Sequence, residues 1–318
     1  MDYNFCTPLD KNYLYRGIAL HTSLINHCPN FKLWILCMDD VAYNTLNKMQ
    51  LDKVEIISLK EVENEDLLSI KSKRRGEEYC WTCKPALLLY ILKNNKDLDI
   101  ITYLDSDTFF FSSPEKIFNN FLNKSIILTP HRFPPENKNQ KHTKGIYNAG
   151  MLSFKNNIEA LKCLQWWNKK CIEWCYHYYE AGKMSDQLYL NDWTERFRNV
   201  YILEHKGINL APWNVSQYTI IQKDNKILID GMNLIFYHFQ SLKIYSKQNF
   251  KLSYDAYELS PICKKLIYKP YLSALVNAIE QIETIDKSFN YGFTEKPGIF
   301  KKFKKTIKNI LKKLWSKR

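Results

Sequence analysis

Two carboxylates one residue apart, Asp105 and Asp107, stand in ITYLDSDTFFF (residues 100–110). An apolar, β-branched run climbs into them and three phenylalanines follow. Neighbouring carboxylates repel, and each raises the other's pKa unless a cation sits between them. A hard divalent ion, Mg2+ or Mn2+, suits such oxygen ligands and keeps positions open for substrate phosphates. Both acids can reach one ion only if the backbone turns between them. The pattern therefore fits a clamp for a metal and a diphosphate at the mouth of a sheet. The competing reading is an acidic turn in which one Asp caps backbone amides; a strand buried on both faces just ahead of the pair makes that the poorer use of two charges. A third ligand has to come from far along the chain. Among the seven histidines, His238 in FYHFQSLK, at the end of a strand-like run, is the best placed. Its alternative is a core histidine with a satisfied hydrogen bond.

The elements that would position these side chains follow from periodicity. YNFCTPLD reads as a first strand ending in a polar loop. YLYRGIALHTSLINHCP has helical spacing, with Leu14, Ile18, Leu20, Leu24 and Ile25 on one side and Pro29 closing it. FKLWILCMDD is a short apolar strand, VAYNTLNKMQL a helix and KVEIISL a third strand. This alternation predicts an α/β fold with a parallel, doubly wound sheet, whose ligand side lies beyond the carboxyl ends of the strands. Residues 61–76 are polar and predict an exposed segment. CWTCKPALLLYILKNN predicts a helix, and DIITYL a central strand buried on both faces. SIILTPHRF and YNAGMLSFKN follow as strands, with PPENKNQKHTKG between them as a mobile loop. ALKCLQWWNKKCIEWCYHYYEAG predicts one long amphipathic helix, and SDQLYLNDW begins the next, capped by Ser185. After residue 200 come shorter strands and turns.

At 318 residues the chain is long enough for one large α/β domain or two smaller ones. Hydrophobic residues at 45% and charged residues at 25% fit a folded globular protein and exclude disorder over most of its length. Its 21 Tyr and 8 Trp suit flat ligands such as bases and sugars, and suit cores equally well. Nine cysteines lie mostly in apolar runs. Cys80 and Cys83 form C-x-x-C without a second pair at zinc spacing, so buried, reduced thiols of a cytosolic protein are expected. The opening MDYNFCTPLD is too short and polar for a signal peptide, and no run of about 18 apolar residues could span a membrane.

The net charge of +13 is uneven. Residues 296–318 hold nine Lys and one Arg without an acid; removing these ten leaves 36 basic against 33 acidic residues. A nearly neutral body argues against nucleic acid as a partner. In KPGIFKKFKKTIKNILKKLWSKR, Phe300, Phe303, Ile307, Ile310, Leu311 and Leu314 share one helical face opposite the lysines. That is the pattern of a helix lying on an anionic membrane surface; the plainer reading packs it on the folded body. The expected organisation is a catalytic domain over 1–275, a helical linker over 276–296 and a basic amphipathic helix over 297–318. The expected location is cytoplasmic, peripheral on the inner face of the membrane.

Taken in order over about residues 3–275, the blocks EYCWTCKP, ITYLDSDTFFF, TPHRFPP, YNAGMLSF, CLQWWNKKCIEWC, DQLYLNDW, NLAPWN and FYHF resemble a bacterial glycosyltransferase of the GT-A, nucleotide-diphospho-sugar transferase type. At a distance the chain is similar to family 8, the glycogenin and lipooligosaccharide galactosyltransferase group. The resemblance implies a Rossmann-like GT-A fold, a mostly parallel sheet flanked by helices, with Mn2+ or Mg2+ as cofactor. Asp105 and Asp107 would hold the metal against the donor diphosphate, and His238 would complete its sphere. Asp10 and Asn12 would hydrogen-bond the base and Tyr13 stack on it, with Thr7 and Ser106 in the same cleft. Asn148, Ala149 and Gly150 would line the donor sugar pocket, Gly150 letting the sugar approach the backbone. Asp186 and Gln187 match the pair beside the anomeric carbon, and Lys84 would face a phosphate.

The implied reaction moves a sugar from a nucleotide-diphospho-sugar, a UDP-sugar by preference and with retention, to a bacterial surface glycan or lipid-linked acceptor, as in lipopolysaccharide or capsule synthesis. Family 8 enzymes usually continue from the metal His through a Gly to K-P-W. Here HFQSLK lacks the Gly, and Lys243 is followed by Ile244 and Tyr245, so its diphosphate contact departs from the pattern. Trp213 and Asn214 in LAPWN have no family 8 counterpart; Trp213 shapes the acceptor side or belongs to the core. Two rivals stand beside this reading. A sugar nucleotidyltransferase should carry a Gly-rich basic loop after the first strand, which TPLDKNYLYRG lacks. A catalytically silent scaffold would keep the fold without binding metal and nucleotide.

Overall fold

The computed structural model describes residues 3–296 apart from Asn120 and Leu122, so the membrane helix expected over 297–318 lies outside the described residues. The apolar runs of the amino-terminal part alternate as their spacing predicts: β1 (Tyr3–Leu9), α1 (Leu14–His27), β2 (Phe31–Cys37), α2 (Asp40–Met49) and β3 (Val54–Ser58). Asp39 starts α2 by accepting the Ala42 amide at 2.8 Å, an N-cap that satisfies an otherwise orphaned donor. The polar stretch expected to be an exposed segment is largely exposed and carries α3 (Leu59–Val62) and α4 (Glu65–Lys71). Leu67 is fully buried beneath them, and that apolar anchor is why the stretch folds. α5 (Gly76–Asn94) leads into β4 (Ile100–Leu104), buried along its whole length.

Next come β5 (Thr108–Phe110), α6 (Glu115–Phe118), β6 (Ile126–Pro130), α7 (Lys141–Lys144), β7 (Tyr147–Lys155), α8 (Ile158–Glu173), α9 (Trp193–Arg196) and β8 (Val200–Ile202). PPENKNQKHTKG, expected to be a loop, holds a 3-10 turn over Pro135–Gln140 and then α7. The long helix expected to run through YHYYEAG stops at Glu173, and Trp174 is extended. Glu180 and Lys183 exchange backbone hydrogen bonds at 2.9 and 2.8 Å across Ala181 (φ 46°) and Gly182 (φ 79°). Two central residues with positive φ make a hairpin turn of the I′ kind, and the aromatics before it favour extended backbone. In SDQLYLNDW the helix begins as a 3-10 turn over Leu188–Asp192 and becomes α9. The described residues continue with a meander of β9 (Ile220–Lys223), β10 (Lys226–Ile229) and β11 (Met232–Asn233), then β12 (Phe236–His238), β13 (Lys243–Ser246), β14 (Asn249–Lys251), α10 (Pro261–Cys263) and α11 (Lys269–Ile285).

The main sheet runs in the order β3-β2-β1-β4-β7-β6-β8. It is mostly parallel; β7 is antiparallel to both β4 and β6. The β6 to β7 link carries only the 3-10 turn and the four-residue α7, and antiparallel neighbours need no crossover helix. One face is covered by α1, α2 and α11, the other by α5 and α8, giving two apolar cores. Each fully buried large side chain there contributes about 1.5–3 kcal/mol. Strand order reverses between β1 and β4, so the crevice beyond their carboxyl ends is a topological switch point.

Candidate active site

The turn that the acidic pair requires is present. The Asp105 amide donates to the Gly150 carbonyl at 2.9 Å, tying the end of β4 to β7. The Thr108 amide and hydroxyl both return to the Asp105 carbonyl, at 3.1 and 2.9 Å. β12 pairs with β5 so that His238 lies opposite Thr108, and the Phe239 amide donates to the Asp107 carbonyl at 2.8 Å. This register brings His238 Nε2 to 3.1 Å from Asp107 Oδ1 and 3.6 Å from Asp105 Oδ2. One ligand atom from each of the three residues lies within 4.8 Å of the others. Two carboxylates and an imidazole converging at that spacing fit a divalent cation such as Mn2+ or Mg2+.

The charges are already arranged for it. Burial pushes the Asp107 carboxyl up, but His238 and then Arg16 outweigh it and hold the group below its ordinary range. Burial pulls the His238 imidazole down, and Asp107 and Asp105 lift it above its usual value. The two carboxylates thus favour the charged form of the imidazole between them. The His238 ring sits edge-on to Trp213 at 5.2 Å, and Trp213 is buried.

Gly150 has close neighbours within the protein. A Cβ there would lie 2.6 Å from His238 Cε1 and 2.6 Å from Asn148 Oδ1. The glycine thus lets the imidazole and the amide come close to the backbone.

A second wall faces this one across Asp105. Lys84, only 4% exposed, pairs with Asp105 Oδ1 and Asp186 Oδ2, each at 3.1 Å. Expected to face a phosphate, it is instead bound between carboxylates, which overcome its burial and raise its pKa. Pro85 follows it inside α5 and removes one helical hydrogen bond there. The Tyr103 hydroxyl donates to Asp105 Oδ1 at 2.6 Å. Asp186 is buried, and that burial raises its pKa despite Lys84.

Amides join the walls. Gln187 Oε1 accepts from Asn148 Nδ2 and the Ala149 amide, both at 2.9 Å. Asn148 Oδ1 accepts from the Gly150 amide and from Asn209 Nδ2, again both at 2.9 Å. His131 lies 3.2 Å from Asn148 Nδ2; burial pushes its pKa down to about 3, leaving it neutral.

In the loop expected to receive the base, Asp10 accepts from the Asn12 amide at 2.9 Å, from Asn12 Nδ2 at 2.9 Å and from the Tyr13 amide at 3.1 Å. Both side chains shape their own loop. Tyr13 is 44% exposed and carries the Arg16 guanidinium on its ring at 4.5 Å. Thr7 and Ser106 are buried, and the Thr7 hydroxyl lacks a protein partner. Lys243 lies exposed on β13, opposite Lys251 in the β14 hairpin.

Four residues escaped the sequence reading. Arg16 is buried and donates to the Asn12 and Leu242 carbonyls at 3.2 and 2.9 Å; an arginine beside the apolar stripe of α1 was the available signal. Asn209 opens the quoted block NLAPWN. Tyr103 and His131 gave no signal apart from their neighbours. All nine cysteines are free, eight of them buried and Cys80 partly so.

Comparison with known proteins adds context. No family model matches the chain. The uncharacterized protein YfnF of Bacillus subtilis (strain 168) is 35% identical over 299 residues, covering 92% of this chain and 97% of that one. The uncharacterized protein YfnD of the same organism is 32% identical over 299 residues, covering 93% and 96%. Among solved structures, the galactosyltransferase LgtC in complex with donor and acceptor sugar analogs superposes with a TM-score of 0.57 at 15% identity, over 86% of this chain and 95% of that chain. The glycosyltransferase GlyE of Streptococcus pneumoniae TIGR4 gives 0.52 at 14% identity, over 93% and 66%. The fold is GT-A.

Proposed function

We propose, for a chain that belongs to the family of YfnF and YfnD and has the GT-A fold, that it is a metal-dependent glycosyltransferase using a nucleotide-diphospho-sugar. The observation that carries this reading is the convergence of Asp105, Asp107 and His238 at the switch point, with Asp186 held beside them through Lys84. Asp105, Asp107 and His238 would hold the ion. A bound Mn2+ or Mg2+ supplies Lewis-acid neutralisation of the departing diphosphate. Lys84 fixes Asp186 next to that charge, where a carboxylate stabilises the oxocarbenium character of the anomeric carbon. Gln187 pins the Asn148–Ala149 backbone that would border the donor sugar. Tyr13 and the Asp10 loop offer a face for the base.

UDP is the preferred nucleotide and retention the preferred course, both from the family 8-like order of the blocks. The acceptor is a glycan or glycolipid of the bacterial surface, as in lipopolysaccharide or capsule synthesis; that LgtC holds donor and acceptor sugar analogs in the same fold supports this class. No helix among the described residues is long and apolar enough to cross a membrane. The ten cations of 296–318 support peripheral attachment to an anionic surface instead.

The test is calorimetry of UDP with and without Mn2+, followed by donor hydrolysis across UDP-, GDP- and CMP-sugars. Metal-dependent nucleotide binding and turnover of one donor are expected; a protein that binds neither ion nor nucleotide is a scaffold. Deleting residues 297–318 should release the protein from anionic vesicles, and vesicle binding by the truncated chain would remove the tail from the proposal.

A further inference from the structure

A cleft of about 580 Å3 lies between α8 and residues 182–192, lined by the stretch that directly follows Asp186 and Gln187 in the chain. Ligand clefts typically fall between about 300 and 1,000 Å3. Trp166, Trp174 and Tyr189 line it together with Lys183, Asn191 and Asp192. We infer that this cleft holds the acceptor's glycan chain, away from the sugar that receives the transfer; the inference rests on the glycosyltransferase reading above.

The lining matches the chemistry of an uncharged oligosaccharide. Pyranose rings present C–H faces to aromatic side chains and hydroxyls to polar ones, and aromatic residues offer a large apolar body beside polar handles. Here charged heads stand directly over the rings: the Arg196 guanidinium is 4.5 Å from the Trp166 ring centroid and Lys183 Nζ is 5.2 Å from that of Trp174. Two of the cations are balanced locally, Lys170 by Glu173 at 2.6 Å and Arg196 by Asp192 at 3.0 Å. Such pairing leaves little field for a phosphate and favours a neutral sugar over a nucleotide.

Continuity with the acidic site supports an acceptor over an unrelated ligand. One segment serves both sides. Its start, Asp186 and Gln187, borders the metal cluster, and Gln187 Nε2 donates to the Lys144 carbonyl at 2.7 Å. Its continuation, Tyr189 to Asp192, lines the cleft, where Asn191 Oδ1 accepts the Ile146 amide at 2.8 Å. The I′ hairpin extends the aromatic surface outward: Tyr178 and Tyr179 are 45% and 51% exposed, and Tyr178 packs edge-on to Trp174 at 5.7 Å. Large aromatics left in solvent beside a cleft are the mark of a contact surface.

The test uses the full chain on a printed array of neutral oligosaccharides, with Trp166→Ala and Lys183→Ala as variants. Calorimetric titration of Mn2+ and UDP is run on the same preparations. The wild type should capture at least one glycan class, and each variant should weaken that capture tenfold or more. Unchanged capture by both variants overturns the inference. So does a blank array from a wild type that binds Mn2+ and UDP, which leaves the glycosyltransferase reading standing. Failure to bind Mn2+ and UDP sinks that reading first. Should Trp166→Ala lose both activities it has misfolded, and Lys183→Ala, at a partly exposed surface position, decides.

Discussion

The two aspartates of one motif live in unlike surroundings. Asp105 is 27% exposed at its side chain and is held by Lys84 and the Tyr103 hydroxyl. Asp107 is buried and faces His238. The first wall is fixed by a lysine whose raised pKa keeps it charged at any physiological pH. The second is balanced by an imidazole whose pKa the neighbouring carboxylates raise against the pull of burial. The difference separates the half of the cluster that is fixed by a permanent charge from the half that, under the proposed function, would exchange a proton for an ion.

Removing Lys84 is the most damaging way to break this contrast. Lys84→Met leaves Asp105 and the buried Asp186 without their shared cation, and breaking a buried pair costs about 3–5 kcal/mol. Urea unfolding should show that loss, and a change within about 0.5 kcal/mol would mean that the lysine is not the scaffold of its wall. Asp107→Asn comes next. It removes one charged ligand and should weaken Mn2+ binding about 100-fold, about 2.8 kcal/mol at about 1.4 kcal/mol per decade; calorimetry with equal affinities for mutant and wild type rejects the cluster as the ion site. Gly150→Ala should push His238 off its position, costing about 1–3 kcal/mol of stability as overpacking does together with metal affinity. A variant with full Mn2+ affinity would show that the imidazole has another place to go.

The smallest effect is the dependence on pH, and its sign can be worked out. His238 is raised above its unfolded value, so in the metal-free protein its pairing stabilises the fold fully below about 6.5, the unperturbed value. That contribution fades as pH rises through the raised folded value. An ion has to displace the same proton. Mn2+ affinity should therefore fall as pH drops through the raised His238 pKa, by up to about tenfold per unit. A flat profile in the wild type would place the proton elsewhere.

Much of the frame was legible because β1 to β3 and the helices α1 and α2 between them each carry their own period. β4 announced itself by being apolar throughout, and the turn at Asp105 followed from the need for two carboxylates to meet. What could not be read depends on partners distant in the chain. Nothing in YNAGMLSF says that β7 runs against its neighbours, since an apolar strand looks the same in either direction. His238 was found, but its register opposite Thr108 depends on β12 finding β5 across more than a hundred residues. Lys84 looked like a phosphate ligand because Asp186, its second partner, lies far away in sequence. The helix that ended at Glu173 was over-extended because YHYYEAG scans as amphipathic, while Ala181 and Gly182 specify a reversal that only their positive φ reveals.

The hydrogen bond from the Asp105 amide to the Gly150 carbonyl has a mechanical consequence. It ties the turn that would hold the ion to the strand bearing Asn148 and Ala149, so under the proposed function a donor would be held at its diphosphate and its sugar by one body. Any breathing that would let a spent nucleotide escape would then have to come from pieces attached to that block from outside, the stretch leading into Asp186 or the one following His238. Stiffening those pieces, rather than the block, is what would slow the turnover cycle.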